Sequence, residues 1–201
     1  FLNPADAVFF NPISGTAQVV ASGSGSLTLA GTNTFSGGVR LTAGTFNLAT
    51  ATALGSGTLS IGGGALTNDG DLTLSTNNAV ALSGSFAYRG SGSLSLGNGA
   101  VTLQASPSIH IPSGILSLGG NVSGAFGLTK TGDGTLVLAG NNTYTGATTV
   151  TAGTLVFAGA NAVPTGSTVT TTGTGVVRLQ GGAKAGNLIG GASLVLASDA
   201  D

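Results

Sequence analysis

Residues 23–46 and 132–155 carry one motif twice. The segments GSGSLTLAGTNTFSGGVRLTAGTF and GDGTLVLAGNNTYTGATTVTAGTL are identical at thirteen of twenty-four positions, among them Gly25/Gly134, Leu27/Leu136, Leu29/Leu138, Gly31/Gly140, Asn33/Asn142, Gly37/Gly146 and Gly44/Gly153. A unit this short cannot bury its apolar side alone, so the repeat predicts an array in which neighbouring units cover one another.

The apolar pattern says what the unit is made of. Triplets such as Leu27-Thr28-Leu29, Leu59-Ser60-Ile61, Val101-Thr102-Leu103, Leu116-Ser117-Leu118, Leu136-Val137-Leu138 and Leu155-Val156-Phe157 put residues i and i+2 on one face, the period of a half-buried strand. Glycine and a small polar residue introduce most of them, as in Gly134-Thr135 and Gly153-Thr154, and glycine supplies the positive φ of a tight corner. Uneven spacing between triplets suits a coil with three faces and corners of variable length. The predicted fold is all-β, a parallel β-helix with about 20 residues per turn and a column of stacked Leu, Val, Ile and Ala inside it. One helical turn is predicted at Ala158–Val163, ended by Pro164. Residues 15–201 read as the solenoid, with repeats at 23–48 and 127–157. Residues 1–14, where Val8, Phe9 and Phe10 lie between Pro4 and Pro12, read as an N-terminal cap or exchanged strand.

Composition excludes several classes. Only 5% of the 201 residues are charged and the net charge is −1. No Asp, Glu, Lys or Arg occurs from Ser91 to Thr129 or from Gly134 to Val177, so a basic footprint for nucleic acid is missing. Mean hydropathy is positive, yet Gly, Ser, Thr or Asn breaks every apolar run before the roughly 18 residues of a spanning helix. Eight Phe, two Tyr and no Trp suit the aromatic girdles of a membrane β-barrel poorly. Cysteine is absent, which removes disulfides and thiolate metal sites.

The stretch GLTKTGDGTLVLAGNNTYTGATTVTAGTL, Gly127 to Leu155, resembles the passenger-associated transport repeat of bacterial autotransporters. The resemblance is carried by Gly127-Leu128-Thr129-Lys130, Gly132, Gly134-Thr135-Leu136, Leu138, Gly140, Asn142-Thr143-Tyr144, Gly146, Thr148, Val150 and Gly153-Thr154-Leu155. The first copy keeps the core of the motif but has Phe35 for the Tyr and Val39 for the Thr, and lacks the Gly-Leu-Thr-Lys lead-in. Clear resemblance covers somewhat under a third of the chain. It implies a secreted, right-handed β-helix on a Gram-negative surface, exported through a C-terminal β-barrel for which residues 1–201 hold no candidate strands. The expectation is an excerpt of a passenger or a relative exported by another route.

Catalytic chemistry finds few candidates. Asp69 and Asp71 are the only close pair of acids in the rod, but calcium takes six to eight oxygens, and Asn68-Asp69-Gly70-Asp71 reads instead as a turn held by Asx hydrogen bonds. Ile109 and Ile111 share a face, which turns His110, the one histidine, toward solvent. Gly23-x-Gly25 and Gly132-x-Gly134 lack the third glycine of a dinucleotide fingerprint and precede strands rather than a helix. No catalytic, metal or cofactor site is expected. Asn33 and Asn142 are expected at corners, in the left-handed geometry Asn tolerates. Phe35 and Tyr144 are expected to cover a corner or the core's edge. Thr148, Thr149 and Thr151, with Thr168, Thr170 and Thr172, are expected in outward rows.

These features favour a non-enzymatic structural or adhesive rod at the cell surface, with Gly25 to Gly44 and Gly134 to Leu155, Tyr144 and Val150 included, as core and corners. Val8, Phe9 and Phe10 at one end and Leu194 and Leu196 at the other would allow end-to-end contact between copies, a heterologous arrangement that builds fibres. A host or abiotic surface is the other expected partner. Two alternatives remain: a Thr-faced binding module for ice or glycan, which needs Thr-x-Thr rows in register on successive turns where the sequence offers scattered ones, and a β-helix carbohydrate-active enzyme.

Overall fold

The structure, a computed structural model, describes residues 5–184 and the backbone of strands Leu188–Gly190 and Ser193–Leu196. Described strands are two to five residues long and every pairing between them is parallel. They form three sheets of ten, seven and six strands, each wall of which is built from strands of successive turns. The step from one turn to the next is 19 residues from Leu27 to Phe46, 21 from Val80 to Val101 and 23 from Ala87 to His110. This is the predicted parallel β-solenoid. The predicted helical turn is not formed: Thr154–Ala158 is strand, and a single Ala162 N–H to Gly159 O bond of 2.9 Å closes a turn after it. Past Ala158 the segment lies in the arc, with Ala162 and Val163 buried and the carbonyls of Asn161 and Ala162 accepting from Asn142 of the turn below rather than from a helical N–H.

The core is a set of in-register columns. Leu72, Leu94, Leu116, Leu136, Leu155 and Val177 stack along the seven-stranded sheet. Val39, Leu59, Val80, Val101 and Val122 stack along the six-stranded one. Each column grows by one apolar side chain per turn, which contributes roughly 1.5–3 kcal/mol when fully buried.

The three walls do not run the whole length. Early turns alternate the ten- and six-stranded sheets, with an irregular arc as the third side. The seven-stranded sheet begins at Leu72–Thr73, just after the Asn68–Asp71 corner, and the six-stranded sheet ends at Val122–Ser123. Later turns therefore alternate the ten- and seven-stranded sheets, and the arc takes the side the six-stranded sheet vacates.

Candidate functional site

The motif residues are spent on winding the coil. Leu27, Leu29, Leu136, Leu138, Val150 and Leu155 are core, each at most 1% exposed. Gly44 and Gly153 take positive φ, +71° and +65°. A Cβ on either would collide with two carbonyls of the turn below, those of Gly23 and Gly25 in one case and of Gly132 and Gly134 in the other. Gly25, Gly31, Gly37, Gly134, Gly140 and Gly146 are likewise pressed against backbone of a neighbouring turn.

Asn33 and Asn142 are not the left-handed corner residues expected. Neither has positive φ, and they are 3% and 5% exposed. Asn33 Oδ1 accepts from the Ile13 N–H at 2.9 Å and its Nδ2 donates to Ala53 O at 3.1 Å. Asn142 Oδ1 accepts from the Val122 N–H at 2.9 Å and its Nδ2 donates to Ala162 O at 2.6 Å. Every partner is 20 residues away, so each amide ties the turn below to the turn above. Such a bridge satisfies two backbone groups beside the arc's own turn-to-turn bonds, such as Thr34 N–H to Ile13 O and Thr143 N–H to Val122 O.

The aromatics lie deeper than an edge. Phe35 and Tyr144 are both 0% exposed and present no ring to a sugar. The Tyr144 hydroxyl meets Thr148 Oγ1 at 2.7 Å, and burial pushes its pKa up to about 12. Thr148, expected outside, faces inward for this reason and is fully buried.

Lys130 was missed as a buried group, although its alternation with Leu128 in Leu128–Thr131 signals the inward face. It is 0% exposed and stands in register between Ile109 and Val150. Its Nζ donates to the carbonyls of Thr131 (2.9 Å), Gly132 (2.6 Å) and Ala152 (3.3 Å), clasping the corner from inside. Burial lowers its pKa to about 8, opposed in part by Asp133.

Among the described acids, Asp71 and Asp6, like His110, make hydrogen bonds to a neighbouring turn. Asp71 Oδ1 accepts from the Ser93 N–H at 2.7 Å, while Asn68 Nδ2 donates to Gly70 O at 2.6 Å across the corner. Asp6 Oδ1 holds the Ser26 N–H in the same manner at 2.7 Å, which lowers its pKa. His110 faces outward, with Nδ1 3.0 Å from Thr131 Oγ1. Among the described residues, no three His, Cys, Asp or Glu gather as a metal site, and no helix is long and apolar enough to cross a membrane.

Two surfaces remain. On the outside of the ten-stranded sheet, Thr129, Thr149 and Thr170 stack in register above Ser108, and Thr131, Thr151 and Thr172 follow two residues on. Threonine rows that are scattered in the sequence thus align over three successive turns. At the N-terminal end, Ala7–Phe9 is the outermost strand of the ten-stranded sheet and Val19–Ala21 of the six-stranded one. Val8, Phe9 and Phe10 are 51%, 37% and 77% exposed beside a cavity of about 190 Å³ lined by Phe9, Ile13, Val19, Leu27 and Leu29. At the other end Ser193–Leu196 closes the seven-stranded sheet, but the side chains of Leu194 and Leu196 lie outside the described residues.

A coil in which a twice-written motif supplies the corners, the core and the inter-turn amides belongs to the repeat-built parallel β-solenoids. The family model for the passenger-associated-transport-repeat matches residues 19–48 and 128–162, and the chain belongs to the autotransporter passengers that carry this repeat. A similar curated protein is the Adhesin BmaC autotransporter of Brucella suis biovar 1 (strain 1330), 32% identical over 138 residues. That match takes in 67% of this chain, which spans only 3% of the relative's length. No solved structure matches the chain.

Proposed function

We propose that the chain is a non-enzymatic segment of a passenger displayed outside a Gram-negative cell, a stiff rod whose outer walls adhere to a surface. The observation that carries this is the use of the motif: its glycines, Asn33 and Asn142 hold turn to turn, Tyr144 and Lys130 are bonded inside the coil, and what is left outward is wall with few charges, Arg40 and Arg178 among them. The adhesin similar to it supports the same reading. Displayed on a non-adherent Gram-negative strain through a foreign barrel, residues 1–201 should raise attachment to epithelial cells or plastic several-fold over the barrel alone. Equal attachment would overturn the adhesive role.

The finer part of the proposal is end-to-end stacking. Exposed Val8, Phe9 and Phe10 on and beside the outermost described strand favour it. The purified chain should then form filaments by electron microscopy, and changing Phe9 and Phe10 to Ser should disperse them. A second reading, a Thr face for ice or a neutral glycan, draws on the aligned Thr129, Thr149 and Thr170. Zero thermal hysteresis would close its ice version.

A further inference from the structure

We infer that a concavity on the second motif's arc is a binding subsite for a carboxylate-bearing sugar, an inference that rests on the adhesive reading and names its ligand class. The concavity has a volume of about 250 Å³ and is lined by Asn141, Thr143, Asn161, Val163, Thr165 and Lys184, among others. It lies where the arc 139–147, between strands Thr135–Leu138 and Thr148–Val150, is overlaid by residues 159–168 of the next turn.

The lining groups suit that ligand. The hydrogen bonds made by Asn141 and Asn161 use their backbones only: Asn141 N–H donates to Asn121 Oδ1 at 2.8 Å, and Asn161 O accepts from Asn142 N–H at 3.1 Å. Both side-chain amides are therefore open to a ligand, as is the Thr143 hydroxyl, whose residue bonds through its N–H to Val122 O. Paired amides and a hydroxyl match the alternating donors and acceptors of sugar hydroxyls. Val163 gives an apolar floor for the C–H face of a ring. Lys184 brings a cation to the rim, and among the described residues no carboxylate lines the concavity, so an acidic group on the sugar is the complement.

The first copy serves as an internal contrast. Offset by 109 residues, Asn141, Asn161 and Val163 correspond to Thr32, Thr52 and Leu54. There Leu54 is 1% exposed and fills the arc. The two arcs share both inter-turn bonds of the motif asparagine's side chain, yet only the second presents two amides and a cation to solvent.

The test is a titration of the folded 201-residue chain by NMR with N-acetylneuraminate, glucuronate and glucose as probes. The expected result is a saturable shift of the Asn141 and Asn161 side-chain amides with one or both acidic sugars and none with glucose, the two acidic arms deciding between sialic and uronic acids. Lys184→Ala should weaken binding tenfold or more and Lys184→Arg should restore most of it, both with unchanged circular dichroism. Equal shifts from glucose and glucuronate, or full binding by Lys184→Ala, would overturn the subsite. Acidic-sugar binding by a rod that fails to attach to cells sinks the adhesive reading and leaves the subsite standing. Attachment that survives in a chain with no sugar response does the reverse.

Discussion

The two motif copies are alike in local detail and different in where they stand on the rod. Ile13, Asn33 and Ala53 correspond to Val122, Asn142 and Ala162 at a constant offset of 109 residues, and the amide makes the same two bonds in both. Yet Ser26–Leu29 lies in the ten-stranded sheet, and its counterpart Thr135–Leu138 lies in the seven-stranded one. Five steps along the ten-stranded sheet from Ser26–Leu29 lead to Leu128–Thr131. The second motif's first Leu-rich strand comes one strand later. The offset is thus five turns and one face, and the extra corner at Asn68–Asp71 is where the face is gained. The lesson is that the motif dictates one turn and its contacts to the turns above and below, while the residues between copies decide which side of the rod the motif faces.

The largest test of local equivalence is the bridging amide. Asn142→Ala strands a buried N–H on Val122 and a buried C=O on Ala162, a loss of about 2–4 kcal/mol. Asn33→Ala should cost the same within about 1 kcal/mol. Solenoids can unfold in segments, so the measurement is denaturant midpoint together with amide hydrogen exchange in the turns on either side. A large loss at one Asn and little at the other would show that the copies share geometry without sharing energetics.

A smaller effect comes from a difference inside the core. The first copy has Phe35 and Val39 where the second has Tyr144 hydrogen-bonded to Thr148, all four side chains fully buried. The two substitutions form a matched exchange of an apolar pair for a polar one. Tyr144→Phe leaves the Thr148 hydroxyl alone and Thr148→Val leaves the Tyr144 hydroxyl alone, each costing about 1–3 kcal/mol. The double variant recreates the first copy's pair and should recover most of that loss. Additive costs in the double-mutant cycle would mean that the 2.7 Å contact carries no coupling.

These pairs also mark what the amino-acid pattern discloses. Alternating Leu and Val triplets with glycine corners disclosed the strands, and the repeat disclosed the stacking, because both are periodic. The inward place of Thr148 is not legible, because alternation alone cannot tell which phase faces the core when Thr stands at both positions of Thr148-Thr149. The roles of Asn33 and Asn142 were hidden for another reason: their partners are a full turn away in each direction, and nothing local to an Asn in an arc announces a bond 20 residues off. The first copy's lead-in strand, Val19–Ala21, went unseen because it has Ala21 where the second copy has Lys130, and the same pairing with the next strand, Leu41 or Val150, shows their equivalence. The concavity at Asn141 and Asn161 was equally invisible, since it depends on how one arc overlies another.

The smallest effect separates the copies at that last position. Lys130 is a buried amine with a pKa near 8, against an ordinary 10.5. Between those values the unfolded chain holds a proton that the folded rod has released, so this residue makes the rod more stable as pH rises from about 8 to 10.5. The ceiling is ~1.4 kcal/mol per pH unit. Its three carbonyl partners accept best from the charged amine and pull the other way, which leaves an expected gain of about 1 kcal/mol. Lys130→Ala, which gives the second copy the first copy's residue, should abolish that rise while lowering stability at pH 7 through the Gly132 and Ala152 carbonyls left without that donor, the Thr131 carbonyl keeping its bond from the Ile111 N–H. The check is the difference in denaturant midpoint between wild type and variant at pH 7.5 and pH 10, which cancels the titration of every other group. A difference that does not change with pH would place the Lys130 amine in contact with water, and the corner clasp would then be no more than a surface hydrogen bond.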